Sequence, residues 1–184
     1  THGENEIINV TAQGQSIRFH EEDVRPMGRA AAGVMAIKLD EDDRVAAMDV
    51  VNPKADLLII TAQGYGKRTP LEEYRTQSRY GSGIRTISRI TPETGPIVDA
   101  RVVKPDDEIT LISSEGMVIR TSVRPIRQMG RATRGVKVMN VSAGDRVASI
   151  ALLPNGRSEG LASKASTTTD GRSNGTDTPG TKPE

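Results

Sequence analysis

The sequence contains no cysteine and no tryptophan, and its only aromatic side chains are Phe19, Tyr65, Tyr74 and Tyr80. Without thiols, disulfide frameworks, zinc ribbons and cysteine nucleophiles are excluded. A protein that reads single strands by stacking bases needs several exposed rings, and these are too few. Two histidines, His2 and His20, do not suffice for a histidine-rich metal site or a convincing Ser-His-Asp triad. The longest apolar run, Leu57–Ile60, falls far short of a membrane span, and no signal peptide opens the chain. The expectation is a soluble cytoplasmic protein with no membrane partner and no metal.

What the chain has is repetition. Its 184 residues suit one domain or a run of smaller units. Thr61-Ala62-Gln63-Gly64 copies Thr11-Ala12-Gln13-Gly14, and Ser113-Ser114-Glu115-Gly116 takes the same place a third time. Gly14, Gly64 and Gly116 are spaced 50 and 52 residues apart, and so are Gly33, Gly83 and Gly135. Within each unit, short β-rich runs are divided by turn residues. The clearest copy reads Arg44–Val51, Leu57–Thr61, Lys67–Leu71 and Ile84–Ile90. Leu57–Ile60 and Ile109–Ile112 are dense enough in aliphatic residues to predict strands buried on both faces. No run keeps a helical apolar period, so helices are not expected. Four strands in about 50 residues is the pattern of a propeller blade.

This predicts an all-β, propeller-like domain over residues 1–153, with units at about 5–50, 51–102 and 103–153. Three blades are fewer than the roughly 4–8 that close a propeller, and the ends are out of phase, so the expectation is part of a larger protein. Residues 154–184 are dominated by Ser, Thr, Gly, Asp and Pro, with balanced charges and one large apolar residue, Leu161. That composition predicts a disordered tail.

The net charge of +1 conceals a segregation. Seven residues after Arg18, Arg68 and Arg120 stand Arg25, Arg75 and Arg127; eleven residues after them stand Arg29, Arg79 and Arg131. The latter two columns fall in the long connection between the third and fourth strands. From Arg120 to Lys137 there are six cations, including Arg124 and Arg134, and no acid. The acids of Asp40–Asp43 and Asp106–Glu108 lie in other connections. This pattern predicts a basic stripe along one edge, read by phosphates, because arginine forks match phosphate geometry. Gly33, Gly83 and Gly135 are expected to make tight turns and to let backbone amides approach a phosphate. The strand arginines Arg18, Arg68 and Arg120 are as well explained by a structural role.

Gly64-Tyr65-Gly66-Lys67-Arg68-Thr69 followed by Glu73-Tyr74, together with Val24-Arg25-Pro26-Met27-Gly28, resembles the C-terminal domain of the DNA gyrase A subunit. The paralogous C subunit of topoisomerase IV shares the pattern. The resemblance covers residues 5–153 and implies a six-bladed β-pinwheel, whose blades exchange strands and whose basic rim wraps duplex DNA. The family's seven-residue box, Gln-Arg-Arg-Gly-Gly-Lys-Gly, has only degenerate copies here, at Met27–Gly33, Gln77–Gly83 and Met129–Gly135. Their third position keeps arginine; their sixth is Ala32, Ser82 and Arg134.

The resemblance implies that the cleavage tyrosine, and the ATP and magnesium of the enzyme, belong to other parts of gyrase A or to gyrase B. The chain is then no enzyme by itself and holds no cofactor. Its partners would be duplex DNA and the rest of the gyrase complex, on the chromosome. The candidate DNA contacts are Arg25, Arg29, Arg75, Arg79, Arg124, Arg127, Arg131, Arg134 and Lys137. A topoisomerase IV domain and a protein-interaction propeller using the acidic loops are the alternatives. A propeller hydrolase would need carboxylates facing each other across a site.

Overall fold

The computed structural model describes residues 3–153; the tail predicted over 154–184 lies outside them. The strands are β1 (Glu6–Thr11), β2 (Gln15–His20), β3 (Val45–Val50), β4 (Asp56–Thr61), β5 (Tyr65–Pro70) and β6 (Ile84–Arg85). They are followed by β7 (Ile97–Val103), β8 (Glu108–Ser113), β9 (Val118–Ser122), β10 (Val136–Lys137) and β11 (Val147–Leu153). Two one-turn 3-10 helices, Glu21–Asp23 and Leu71–Glu73, follow β2 and β5 where no helix was expected.

Three antiparallel sheets result, in the orders β3-β1-β2-β6, β10-β5-β4-β7 and β11-β8-β9. The blade expected from Arg44–Val51, Leu57–Thr61, Lys67–Leu71 and Ile84–Ile90 is thereby divided. β3 pairs with β1 and β6 with β2, both in the first sheet, while β4 and β5 form the centre of the second. A turn at Asn52–Ala55, closed by the Ala55 amide on the Asn52 carbonyl, hands the chain to the next sheet instead of forming a hairpin. The fourth strand is also shorter than expected. After Ile84 and Arg85 pair with Ser16 and Gln15, the Thr86 amide reaches Gly14 and the Ser88 amide reaches Thr133.

Strand exchange requires glycine where two backbones meet. Gly83 has φ +72, and a Cβ there would lie 2.5 Å from the Ser16 carbonyl oxygen. Gly135 has φ +89, with a Cβ position 2.7 Å from the Gly66 carbonyl oxygen. Any larger residue would push the incoming strand off its partner. At these two positions the close approach is to protein backbone, which is different from the expected approach to a phosphate.

β4 is buried at every residue because it serves two cores. Leu57 and Ile59 pack with Ile8 and Val10 of β1; Leu58 and Ile60 pack with Ile109 and Leu111 of β8. The alternation of side chains across a strand sends neighbouring residues to opposite sheets. β8 departs from the expectation of burial on both faces: Ile109, Leu111 and Ser113 are buried, while Thr110 and Ile112 are half-buried. Among the described residues, no further sheet covers that outer face. Leu58→Ala is therefore expected to lower stability by about 2–5 kcal/mol. Thr110→Ala, at the equivalent place one unit later, should cost less than about 1 kcal/mol in the same denaturant titration.

Candidate nucleic-acid interface

The in-register arginines of the strands pair within their sheets, and two of the three also tie one sheet to the next. Each meets a carboxylate twelve residues earlier, Arg18 with Glu6, Arg68 with Asp56 and Arg120 with Glu108. The arginines stand opposite Ile8, Leu58 and Thr110, so each carboxylate is the diagonal neighbour on the adjacent antiparallel strand, within reach of a long side chain. Two of the guanidinium groups then reach into the following unit. Arg18 donates to the carbonyls of Leu71 (2.9 Å) and Tyr74 (3.2 Å), and Arg68 to those of Ile126 (2.7 Å) and Arg124 (3.3 Å). Burial opposes ionisation of Glu6, but hydrogen bonds from Arg18 and Thr76 hold its carboxyl below the usual range. In the third unit the Arg120 side chain is 65% exposed and, among the described residues, meets only Glu108.

Lys67, beside Arg68, is fully buried. Its Nζ donates to the carbonyls of Gly130 (2.7 Å) and Arg131 (2.5 Å) and to the Thr133 hydroxyl (3.1 Å). The ammonium thus fixes the loop that carries Arg131 and Arg134. Burial pushes Lys67 down to about 8, with Glu73 drawing it back and Arg131 adding to the fall. Tyr74 is likewise buried, its hydroxyl 2.6 Å from that of Thr86, and burial raises it to about 12.

The nine candidate contact residues divide into three kinds. Arg25, Arg29, Arg75 and Arg127 are exposed, and their side chains make no hydrogen bond or ion pair with any described residue. Arg79 and Arg131 are half-buried and committed to backbone. Arg79 donates to the carbonyls of Met35 (2.5 Å) and Asp23 (3.2 Å), and Arg131 to that of Arg85 (2.9 Å). Met35 and Arg85 are equivalent residues, so this column links each loop to the unit before it. Arg124, Arg134 and Lys137 have partners at the surface: Asp106, Glu93 and the Gln63 carbonyl.

The acids are therefore less separated from the stripe than their sequence positions imply. Glu93 lies far along the chain from Arg134 yet pairs with it at 2.9 Å, and Glu73 Oε2 accepts the Arg131 amide at 3.0 Å. Around Arg134 a small cluster forms. Tyr65 donates to Glu93 at 2.6 Å, while Lys137 and Arg134 stand 4.4 and 5.2 Å from the centre of its ring. The hydrogen bond to Glu93 raises the Tyr65 hydroxyl and lowers the Glu93 carboxyl. The Arg124–Asp106 and Arg134–Glu93 pairs are exposed, and exposed pairs contribute about 0–1 kcal/mol. Arg85 was missed; it is exposed and occupies the position of Lys137, a match visible once Gly83 and Gly135 are aligned. Among the described residues there is no cluster of three metal-ligating side chains, and no helix is long and apolar enough to cross a membrane.

Small antiparallel sheets in series, joined by exchanged strands and carrying arginine-rich outer loops, define a propeller-type repeat domain. The family model of the DNA gyrase C-terminal domain, beta-propeller, matches residues 5–52, 55–104 and 107–154, and the chain belongs to that family. The DNA gyrase A protein of Mycolicibacterium smegmatis is 45% identical over 150 residues, covering 80% of this chain and 18% of the relative. That of Mycobacterium leprae is 42% identical over 161 residues, covering 86% and 13%. The chain thus spans less than a fifth of the length of these curated relatives. A solved DNA gyrase A C-terminal domain superposes with a TM-score of 0.78 at 28% identity, over 82% of this chain and 51% of that one. The C-terminal domain of DNA topoisomerase IV gives 0.78 at 25% identity, over 83% and 47%.

Removing a buried ion-pair partner strands the other charge. Arg68→Ala is expected to cost about 3–5 kcal/mol, whereas Arg120→Ala should cost less than about 1 kcal/mol in parallel denaturation curves. Lys67 gives a pH signature. The folded chain releases this proton near 8 and the unfolded chain near its ordinary 10.5, so the unfolded state binds more protons in that window. Stability from this group rises with pH there. Relative to Lys67→Met, the wild-type chain should gain on the order of 2–3 kcal/mol between about pH 7 and about pH 10.

Proposed function

We propose that this chain is a DNA-binding portion of a gyrase-type topoisomerase, and that it bends duplex DNA along its arginine-bearing loops. The observation that carries this reading is the column Arg25, Arg75 and Arg127, recurring in three successive units and exposed and unpaired in each. An arginine column standing at each successive sheet can follow a phosphate backbone without reading bases. Arg29 adds a further unpaired guanidinium. Arg124, Arg134 and Lys137 join by exchanging weak surface partners for phosphate. Arg79 and Arg131 keep unused N–H groups, so each can shape its loop and still present charge.

Bending a 20–30 base-pair site by 40–90° costs on the order of 1–6 kcal/mol, which requires many contacts acting together. In the parent enzyme, DNA held this way would be presented to the cleavage gate and the sense of supercoiling set. The cleavage tyrosine, ATP and magnesium then belong to the other domains and to gyrase B, and this chain contributes no catalytic group. The setting is the bacterial cytoplasm, at the chromosome. Identity to gyrase A relatives across most of the chain favours that enzyme over topoisomerase IV.

Binding of the full chain to linear duplex DNA across a salt series tests the reading. The triple variant Arg25→Ala, Arg75→Ala, Arg127→Ala should bind more weakly, with the salt slope shallower by about 2–3. Its thermal stability should stay near that of the wild type, because those side chains hold nothing else. A folded wild-type chain with no DNA binding at low salt would remove the proposal and favour a protein-interaction role.

A further inference from the structure

The turns that lead into β3, β7 and β11 are closed in two different ways. Two residues ahead of β3 and β11 stands an aspartate that accepts the amide of the hairpin turn beside it. Asp43 Oδ1 takes the Gln13 amide at 2.9 Å, and Asp145 Oδ1 takes the Glu115 amide at 3.1 Å. The residue that follows confirms the match, since the amides of Ala12, Ala62 and Ser114 reach the carbonyls of Arg44, Pro96 and Arg146. In the second unit the aspartate's place is taken by Gly95, which has no side chain to offer. The Gln63 amide goes instead to the Thr94 carbonyl at 3.0 Å, and the Thr91 and Thr94 hydroxyls accept each other's amides. Glu93 lies inside this turn, and its side chain takes no part in closing it.

That carboxylate is turned onto the candidate interface. Its Oε1 accepts the Tyr65 hydroxyl at 2.6 Å and its Oε2 accepts from Arg134 Nη1 at 2.9 Å. The ring and the guanidinium are particular to this joint. Counted from the turn glycines, the residues that correspond to Tyr65 and Arg134 in the preceding joint are Gln15 and Ser82. Tyr65, Glu93 and Arg134 come from three separate segments, yet they complete one contact. The Arg134 and Glu93 side chains are 51% and 57% exposed, so their pairing contributes little to stability. The hydrogen bond from Tyr65 and the charge of Arg134 hold the Glu93 carboxyl below its ordinary range, so it is ionised at neutral pH. An ionised carboxylate meets a guanidinium much as a phosphate does, and it repels a phosphate that approaches the same group.

We infer that Glu93 is a built-in competitor for DNA phosphate, held by Tyr65 over Arg134 and neutralising that cation until a duplex displaces it. The inference rests on the DNA reading above and names the residue that sets affinity at this joint. Arg127 is available to a duplex at once, whereas Arg134 is recruited only when the contact with Glu93 is given up. The loop of the third unit, the richest in cations, is thereby kept from binding as strongly as its sequence implies.

The test compares the full wild-type chain with variants in binding to linear duplex DNA across a salt series. Glu93→Gln should bind about two- to fivefold tighter at low salt, with a salt slope steeper by about 0.9. Its melting temperature should match the wild type, because the turn closes without that side chain. Tyr65→Phe removes the tether and should give a smaller gain. In an Arg134→Ala background the gain from Glu93→Gln should fall by at least half. Glu41→Gln makes the same charge change on the exposed turn of the first unit and should leave affinity and slope unchanged. A gain in Glu93→Gln no larger than in Glu41→Gln, or one undiminished without Arg134, would overturn this inference and leave the DNA reading standing. A folded wild-type chain and Glu93→Gln variant that both fail to bind DNA at low salt would overturn both.

Discussion

Among the described residues, neither four-stranded sheet takes all its strands from one repeat. Ile84 and Arg85 belong by sequence to the second unit and by hydrogen bonding to the first sheet, and Val136 and Lys137 extend the same rule. Strand exchange makes neighbouring units mutually dependent, because a sheet loses an edge strand if its successor moves. The arginine–carboxylate ties act at the same joints. Arg68 is held by Asp56 within its own sheet and spends its other donors on carbonyls of the next unit. A buried guanidinium with each of its three nitrogens hydrogen-bonded fixes the relative placement of two sheets more sharply than apolar contact, since hydrogen bonds are directional and packing is not.

That rigidity decides where charge is displayed. The long loops leave the sheets just after these ties, and Lys67 and the column Arg79, Arg131 hold them against neighbouring backbone. What remains outward and unpaired in every loop is the column Arg25, Arg75 and Arg127, at a spacing set by the sheets beneath. The backbone under each of these arginines is held in place, while the exposed side chains themselves keep their rotamer freedom. The glycines contribute to the same end by letting the exchanged strands approach closely.

A good part of the fold was legible. The repeat of 50 and 52 residues, the absence of helical periodicity and the β-rich runs pointed to propeller-like sheets, and the residues that resemble the gyrase family named the variant. Membership of strands in sheets was not legible, because β3 reads equally well as the end of one unit or the start of the next. The burial of β8 was misjudged for a related reason: Ile109–Ile112 is as aliphatic as Leu57–Ile60, but only β4 lies between two sheets.

The candidate site was legible as three arginine columns and ambiguous in their roles. Sequence alone determined which cations recur and at what period, since repetition is a property of order along the chain. Only the tertiary structure decided that Arg79 and Arg131 bind carbonyls, that Glu93 folds back onto Arg134, that Lys67 is buried, and that Arg25, Arg75 and Arg127 stand unpaired. The physical reason is that a charge takes its role from what surrounds it. Here those neighbours come from residues some 40 to 60 positions away, brought close by sheets that share their strands.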